Sequence, residues 1–467
     1  MGKNMLEPKV KPEGLSVRAD ELLGLSPELI NSVRDSLREQ NQTRAKMIVA
    51  SLRASEFADL LQLLSPNLRR RLIECMGTDF DPQVLAELEG DIQEEISEQL
   101  GPVSLANMII RLDIDDALEL IITLRKDRQR EILKQLPSEL RNLVEVGLAF
   151  PKDSAGRLMG REFVAVPSFW TVDDTIKFLR EADNLPNEFY EIFIVNPRHR
   201  PIGKVSLSNI LRNEKPTKIS SIMLSEIVTV PAIMDQEEVA FVFSQKDLVS
   251  VPVVDESYRL IGVITVDDVL DVIQEEAEED IMRLGGVKSD DLYSAAFQTG
   301  RSRFSWLFLN LITAIVVSIV IGIFESTLEQ IVMLAVLMPI VASMGGNAGT
   351  QTMTVAVRAL ATKELSDTNA MRVMGKEFLV GVYNGILFAT LVGGVAWFWT
   401  NSLKIGGVMA VAMMITLIMA ALSGMTIPLI LQRAGTDPAI ASGVVLTTIT
   451  DIIAFGVFLG FATLLLL

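Results

Sequence analysis

The sequence contains only one histidine and one cysteine, and each shortage excludes a class of site. The single cysteine, Cys75, allows neither an intramolecular disulfide nor a cysteine-rich metal centre. The single histidine, His199, excludes a histidine cluster as the ligand set of a metal. No nucleophile–base pair and no phosphate-binding glycine loop accompanies them, so we predict that the protein is not an enzyme.

Basic residues are scarce in the first 300 residues, where 34 of them stand against 52 acids. The rest of the chain has eight bases and seven acids, so the net charge of −17 belongs to the N-terminal part. An acidic soluble region argues against nucleic-acid binding and favours metal cations or basic partners. The opening stretch, 1–14, lacks the apolar core of a signal peptide, and we expect the N-terminal part to remain in the cytoplasm.

Long apolar runs are absent before residue 304 and then occur five times. The first run, 304–324, would be about 31 Å long as a helix, which matches a hydrocarbon core of about 30 Å. The others cover 331–357, 378–403, 405–432 and 438–467. Basic residues lie on one side of these runs by seven to one. We therefore predict five spans in the plasma (inner) membrane, with the N-terminal domains cytoplasmic and the C-terminus on the outer side.

Residues 18–150 have the pattern of short, repeated helices. Three segments look alike: LSPELINSV from 25, LSPNLRRRL from 64 and LPSELRNLV from 136. The serine–proline pairs in the first two are typical helix starts, with serine as the cap and proline at the first helical position. We predict a superhelical stack of short helices, and an irregular helical bundle is the alternative.

Residues 151–275 contain an internal repeat of about 59 residues. The segments 191–211 and 250–270 align over their whole length. Each predicts a strand, a turn, a second strand that begins with Ile-Gly, and a helix. This pair resembles tandem CBS domains, which are regulatory modules.

The nucleotide fingerprint of CBS domains, Gly-x-x-Thr/Ser-x-x-Asp, is present in the second copy as Gly262, Thr265 and Asp268. In the first copy Asn209 stands where the resemblance implies a ribose-binding aspartate. Two interpretations stay open. ATP binds at Thr265 and Asp268, or both loops have a structural role.

An acidic run follows the second repeat, with eight acids and no base between Asp267 and Asp280. Like charges three or four apart on a helix repel one another unless a cation bridges them. Oxygen ligands without histidine or cysteine select hard cations such as Mg²⁺, Ca²⁺ or Mn²⁺. A solvated helix face is the alternative. The predicted regulatory ligands are Asp116, Asp235, Glu237, Asp247, Asp268, Asp271, Glu275, Glu276 and Glu279.

The second apolar run holds a polar, glycine-rich centre, GGNAGTQ at 345–351. Each glycine weakens a helix by about 1 kcal/mol, and irregular backbone in a membrane is tolerated only where it lines protein or water. We expect close helix approach and local unwinding here, with backbone groups that hold the water shell of a cation. Small-residue packing is the alternative. The candidate pore residues are Gly345, Gly346, Asn347 and Gly349.

Asp451 is the only charged residue inside the five apolar runs. A carboxylate near the bilayer centre costs roughly 3 kcal/mol on insertion scales, so it normally faces a cavity or a partner. No basic residue lies at the same depth in the sequence, and we predict that a cation is its counter-charge. Because Mg²⁺ gives up its water reluctantly, contact through retained waters is the expected mode.

A helical domain, a CBS pair, an acidic helix and five spans, in this order, resemble the MgtE magnesium channel family. The most specific shared features are Pro339 with GGNAGTQ, SAGRLM at 154–159, VDDVLDVIQEEAEED, and TTITD in the fifth span. The predicted multi-domain fold has an α-helical N domain, α/β CBS domains and a polytopic α-helical membrane domain. Its segments are an N-terminal tail (1–17), the N domain (18–150), the CBS domains (151–275), an acidic linking or plug helix (276–303) and the membrane domain (304–467).

The resemblance implies a homodimer in membrane lipid, with a pore along its twofold axis that is lined by the second and fifth spans. It implies Mg²⁺ uptake through this pore. The charge pattern suggests closure when cytoplasmic Mg²⁺ binds at the acidic interfaces. A cation-coupled secondary transporter of divalent metals that uses the same Asp451 is the alternative, because one sequence does not separate a channel from a carrier. Selectivity among Mg²⁺, Mn²⁺, Co²⁺ and Ca²⁺ also stays open.

Overall fold

The computed structural model describes residues 24–88, 90–182, 185–186, 188–287, 296–366 and 368–467. The predicted N-terminal tail, 1–17, lies outside the described residues, and so does 288–295 of the predicted linking segment. The chain divides into two compact units, Met1–Val269 and Leu270–Leu467.

The first unit begins with nine helices in the described residues, and their apolar faces enclose one continuous core. Gly101, whose φ is +75°, bends the sixth helix just before Pro102. The predicted series of short helices is therefore confirmed. The helices are α1 (Pro27–Arg38), α2 (Gln42–Val49), α3 (Ala54–Leu63), α4 (Pro66–Met76), α5 (Pro82–Ala86), α6 (Gly90–Ile109), α7 (Ile114–Thr123), α8 (Lys126–Gln135) and α9 (Ser138–Leu148).

Two of the similar segments in this domain also use the same side-chain contact. Arg69 donates from Nε to the carbonyl of Leu61, eight residues earlier, at 2.8 Å. Arg141 occupies the equivalent position of its segment and donates to the carbonyl of Leu133, also eight residues earlier. Each arginine thus satisfies carbonyls at the end of the preceding helix, where four acceptors have no helical partner. The repeat is structural as well as sequential.

The rest of the first unit contains two small sheets with the strand orders β1-β2-β3 and β4-β5-β6. In each sheet the first pair of strands is parallel and the second pair is antiparallel. The predicted strand, turn, strand and helix are present in both copies. The elements are α10 (Ala155–Leu158), β1 (Ala165–Pro167), α11 (Val172–Glu181), β2 (Glu191–Val195), β3 (Pro201–Ser206), α12 (Leu207–Arg212), α13 (Ile219–Ile222), β4 (Val230–Pro231), α14 (Gln236–Lys246), β5 (Ser250–Val254) and β6 (Leu260–Thr265).

The turns between the paired strands repeat the same construction. In the first turn the side chain of Asn196 accepts from two backbone N–H groups, and His199 has a φ of +59°. In the second turn Asp255 accepts from the equivalent N–H groups, and Tyr258 also has a φ of +59°. His199 is thus a turn residue in a left-handed conformation.

Helix α15 (Val266–Leu284) begins at the end of the first unit, and the second unit contains the remaining helices. Five helices in the described residues are long and apolar enough to cross a membrane, which confirms the predicted number of spans. The helices are α16 (Ala296–Gly322), α17 (Glu325–Gln330), α18 (Met333–Ala361), α19 (Ala370–Thr400), α20 (Leu403–Arg433) and α21 (Pro438–Leu466).

Small residues bring the third and fourth spans together. A Cβ added at Gly381 would lie 3.1 Å from Cβ of Ala421, and one at Gly393 would lie 2.9 Å from Cβ of Ala410. Gly385 approaches the backbone of Met414 in the same way. Apolar helices gain little from hydrophobic burial in lipid, so close backbone approach of this kind supplies the packing energy.

Candidate functional site

The glycine-rich segment 345–351 lies within α18, which is a continuous helix from Met333 to Ala361. The predicted local unwinding is therefore wrong for this structure. The backbone N–H and C=O groups of a continuous helix bond to one another, which satisfies them without water inside a membrane. It follows that side chains, and not freed backbone groups, give this segment its polar surface.

The expected close helix approach is present at two of the glycines. A Cβ at Gly345 would collide with Thr416 of α20, and one at Gly349 would lie 3.1 Å from Leu446 of α21. Gly424 of α20 packs against α18 so closely that its added Cβ would lie 3.0 Å from Cβ of Thr352. These contacts fix α18 against both neighbouring helices. In contrast, an added Cβ at Gly346 would have no neighbour within 4 Å.

The opposite face of α18 is polar and exposed in the single chain. Five polar residues at helical spacing are exposed on this face: Ser343, Asn347, Thr350, Gln351 and Thr354. Exposed polar side chains in a membrane helix face water or another protein chain, because lipid satisfies none of their hydrogen bonds. This face is suited to line an aqueous path.

Asp451 lies on α21 at the level of the glycine-rich segment. The residue before it, Thr450, is buried, and its Cβ lies 3.9 Å from a Cβ added at Gly345. Asp451 itself is partly exposed, and within the part of the chain that the structure describes its carboxylate has no ion pair or hydrogen bond. The structure thus places Asp451 one residue from a direct contact between α21 and the predicted segment of α18.

The C-terminal end of the acidic helix α15 packs onto the membrane helices of its unit. Arg283 forms ion pairs with Glu279 of its own helix and with Asp437, the N-cap of α21. Leu284 joins an apolar cluster with five buried residues of α18, α20 and α21, namely Met353, Val357, Ile427, Ala439 and Leu446. Burial, followed by the negative charge of Asp437, raises the pKa of Asp280 from its ordinary value.

Arg283 and Asp437 were not among the predicted site residues. Arg283 is the first base after the acidic run, and Asp437 is the only acid between the fourth and fifth apolar runs. Those positions were visible in the sequence. Their pairing was not, because 154 residues separate them.

The predicted regulatory acids Asp116 and Asp268 belong to one acidic group in the first unit, together with Asp115. Burial, and then the charges of Asp116 and Asp268, raise the pKa of Asp115 to about 7. Burial raises the pKa of Asp268 to about 6, although hydrogen bonds from Thr265 oppose the shift. The carboxylates of α7 and of the start of α15 are therefore close enough that the negative charge of one raises the pKa of the other.

The other predicted regulatory acids are distributed along two helices. Asp235 caps α14 and accepts from the N–H of Glu237 at 2.9 Å, while Asp247 ends the same helix with a φ of +50°. Asp271, Glu275 and Glu276 follow one another along α15. Among the described residues no three carboxylate, histidine or cysteine side chains converge closely enough to hold one metal ion.

A cavity of about 590 Å³ lies beside the nucleotide fingerprint of the second repeat. Its lining includes Thr265, Asp268, Tyr190 and Arg161. Thr265 donates to the Asp268 carboxylate from its N–H at 3.0 Å and from its hydroxyl at 2.8 Å, which is the pattern of a helix cap. In the first repeat the side chain of Asn209 donates to the carbonyl of Ile222. Asp268 thus has a structural bond as well as a place in the cavity wall.

One carboxylate of the membrane unit was missed because of where the third apolar run begins. That run starts at residue 378, whereas helix α19 starts at Ala370 and includes Glu377. Glu377 is only 8% exposed, although its side chain is polar. The signal was its spacing of four residues from Gly381 and eight from Gly385, which places it on the packed face of the helix.

Three family models match separate parts of the chain. Residues 338–461 match MgtE, described as a divalent cation transporter. Residues 52–153 match the MgtE intracellular N domain, and residues 219–275 match the CBS domain. These matches fall on the membrane helices, on the helical domain and on the second repeat.

Two curated relatives and one solved structure are similar to this chain. The chain is 32% identical to the magnesium transporter MgtE of Thermus thermophilus over 95% of this chain and 99% of that protein. It is 29% identical to the magnesium transporter MgtE of Bacillus subtilis, over 93% and 97%. A crystal structure of the cytosolic domain of the Mg²⁺ channel MgtE in complex with ATP is 30% identical and has a TM-score of 0.48; the match covers 52% of this chain and 99% of that one.

Proposed function

The chain belongs to the MgtE family, and we propose that it is a Mg²⁺-selective channel for magnesium uptake that cytoplasmic Mg²⁺ closes. The single observation that carries the proposal is the position of Asp451. Asp451 directly follows Thr450, which lies beside Gly345 of α18, and its carboxylate has no protein counter-charge among the described residues. A passing cation supplies that charge.

The proposed pore forms between two copies of the chain. The exposed polar face of α18, which includes Asn347 and Thr350, needs water or a partner inside the membrane. In a homodimer with α18 and α21 at the twofold axis, two such faces and two Asp451 carboxylates line one path. Gly346 leaves that path open because it has no side chain, while Gly345 and Gly349 hold the helix in place.

Mg²⁺ is the proposed ion because the family relatives are magnesium transporters and because the path offers oxygen ligands alone. Mg²⁺ holds its first water shell tightly and is bound by few carboxylates with several waters. One Asp451 from each subunit, with the amide of Asn347, fits an ion that keeps its waters.

Closure by cytoplasmic Mg²⁺ is proposed from the acidic groups and from the end of α15. Asp115, Asp116 and Asp268 repel one another when charged, and Mg²⁺ ions drawn to this acidic group, each held by one or two carboxylates and by waters, lower that cost. At its other end, α15 is held against α18, α20 and α21 by Leu284 and Arg283. Ions bound along α15 therefore stabilise the arrangement that holds this end at the pore helices. The proposed regulatory ligands are the nine acids named from the sequence.

Orientation and nucleotide binding are further parts of the proposal. The proposed orientation has the two acidic domains in the cytoplasm and the end of α21 outside the plasma (inner) membrane, and the excess of basic residues on one side of the spans supports it. ATP is the proposed occupant of the 590 Å³ cavity, with Thr265 and Asp268 at its wall. Its binding would compete with the cap bond between these two residues.

The decisive experiment is single-channel recording of the purified protein in a planar bilayer with a Mg²⁺ gradient and no Na⁺ or H⁺ gradient. Unitary Mg²⁺ currents, which stop when millimolar Mg²⁺ is added on the side of the N-terminal domains, are expected. Asp451→Asn should abolish them. Mg²⁺ flux only in the presence of a Na⁺ or H⁺ gradient, without unitary currents, would instead identify a cation-coupled carrier.

A further inference from the structure

Glu377 is a buried carboxylate inside the membrane unit, and it contacts the proposed pore helix. Its side chain lies on α19 and is 10% exposed, while the hydroxyl of Thr352 on α18 donates to its Oε2 at 3.3 Å. Thr352 is itself buried, at 7% exposure. If this bond were broken, both polar groups would stand without a partner in apolar surroundings, which is costly. The bond therefore helps to hold the two helices together.

The bond between Thr352 and Glu377 lies next to the proposed ion path. Thr352 directly follows the glycine-rich segment 345–351, and it lies between two helices. On one side it meets Gly424 of α20, whose added Cβ would lie 3.0 Å from its own Cβ. On the other side it bonds to Glu377. The turn of α18 next to the proposed ion path is therefore clamped between α19 and α20.

The hydrogen bond between Thr352 and Glu377 restricts the rotation of α18 about its axis more than packing alone does. Glycine contacts at Gly345, Gly349 and Gly424 let the helices approach, but contacts between small residues tolerate a rotation of a few degrees. A hydrogen bond depends on angle and distance, so the 3.3 Å contact from Thr352 to Glu377 favours one rotation of α18 over others, although it is long for a hydroxyl donor. The only ion-pair partner of Glu377 within the described chain is Lys376 at 3.6 Å, and the Lys376 side chain is 71% exposed. Such an exposed pair adds little.

We propose that Glu377 is a positioning residue for ion conduction: its carboxylate binds the Thr352 hydroxyl and so sets the rotation of α18 that turns Asn347 and Thr350 toward the ion path. This inference rests on the proposed function. It assigns to Glu377 no contact with the ion.

The test measures Mg²⁺ uptake by proteoliposomes that contain the full-length protein. Thr352→Val keeps the shape and removes the donor, and Glu377→Met keeps the approximate volume and removes the acceptor. Each should lower the maximal rate about fivefold, as expected for the loss of one ordinary hydrogen bond, without changing the Mg²⁺ concentration at half-maximal rate. Thr352→Ser, which retains the hydroxyl, should restore most of the rate. The double variant Thr352→Val/Glu377→Met should be no slower than either single one.

A second measurement reports on the helix itself, independently of transport. Asn347→Cys is labelled with a water-soluble thiol reagent in the wild-type and Thr352→Val backgrounds, and a changed labelling rate is expected because α18 rotates. Thr390→Val on α19 is the matched control, because among the described residues the Thr390 hydroxyl bonds to the carbonyl of Ile386 in its own helix and to no neighbouring helix. It should leave both rates unchanged.

The outcomes separate this inference from the proposed function. Normal uptake by Thr352→Val, multiplicative losses in the double variant, or unchanged labelling at Asn347→Cys would each overturn the positioning role while Mg²⁺ transport stands. No Mg²⁺ uptake by the wild-type protein would overturn the proposed function itself. In that case the labelling experiment still decides whether Glu377 orients α18.

Discussion

Glu191 and Ser250 occupy equivalent positions in the two repeats, and the Ser250 hydroxyl donates to the Glu191 carboxylate at 2.6 Å. Lys204 donates to the same carboxylate at 2.8 Å, and the side chains of this ion pair are only 13% and 14% exposed. A repeat that pairs with itself brings equivalent residues face to face. One carboxylate therefore joins the first strand pair to the second.

The first prediction is that Glu191→Ala destabilises the full-length protein by about 3 kcal/mol, because it leaves the charge of Lys204 buried without its partner. Ser250→Ala should cost about 1 kcal/mol. Thermal unfolding of the purified protein, followed by tryptophan fluorescence, measures both. Ser257→Ala in the exposed turn is the control and should have no effect. Equal unfolding temperatures for Glu191→Ala and wild type would show that this contact contributes nothing.

Elements with a clear sequence period were predictable, and contacts between distant residues were not. The 59-residue repeat gave both strand pairs correctly, because turn residues and apolar alternation fix such units locally. The five apolar runs gave the spans. Glu377 was missed because a charge was taken to mark the end of a span, although a helix can bury a carboxylate when a neighbouring helix supplies a donor.

The candidate site was predictable in its residue types and not in its backbone. Glycines in a membrane segment are compatible with an unwound loop or with close helix contact, and sequence alone does not separate these two uses. Gly345 and Gly349 serve contact, since Thr416 and Leu446 fill the space that a side chain would take. Asp451 was identified because a charge within an apolar run is costly without a function.

The second prediction concerns the pore carboxylate. Asp451→Ala should abolish Mg²⁺ uptake or lower it at least about a hundredfold, because the ion loses its only charged contact in the apolar span. The dimer should remain folded, as judged by size-exclusion chromatography. Glu364→Ala, an exposed acid in a loop between spans, is the control and should transport normally. Normal uptake by Asp451→Ala at normal expression would remove this residue from the mechanism.

The third prediction separates the two uses of glycine in α18. Gly346→Val should block flux with little change in the unfolding temperature, because an added Cβ meets no described atom beyond its own stretch of helix within 4 Å and the side chain enters the proposed path. Gly345→Val should lower the stability by about 1–3 kcal/mol, because its side chain collides with Thr416. Flux and thermal unfolding are measured together. Gly394→Val, also without neighbours within 4 Å, is the control on α19. Unchanged flux in Gly346→Val would mean that the path lies elsewhere.

The fourth prediction concerns closure. In wild type, millimolar Mg²⁺ should protect the 280–300 segment from protease, because ions bridge the acids of α15 and hold it against the pore helices. The combined change of Asp268, Asp271, Glu276 and Glu279 to their amides should remove this protection. Loss of the bridges outweighs relief of repulsion, since exposed charges are screened within about 8 Å at physiological salt. Equal protection of wild type with and without Mg²⁺ would leave the acidic run a solvated helix face.

The last prediction concerns the pH dependence of stability in the absence of divalent cations, and it follows from Asp115. Burial raises the pKa of this carboxyl from 3.8 to about 7, so between these pH values the folded chain binds more protons than the unfolded chain. The free energy of unfolding must therefore fall as the pH rises through this window. Asp115→Asn removes the ionisation, and the variant should be more stable than wild type by about 4 kcal/mol at pH 8, with the difference becoming small toward pH 4. Glu145→Gln on the exposed face of α9 should follow the wild-type profile. The profiles are measured by urea unfolding between pH 4 and pH 8. Parallel profiles for Asp115→Asn and wild type would contradict the raised pKa of Asp115. They would also contradict the proposal that a cation stabilises this acidic group by reducing the repulsion between its carboxylates.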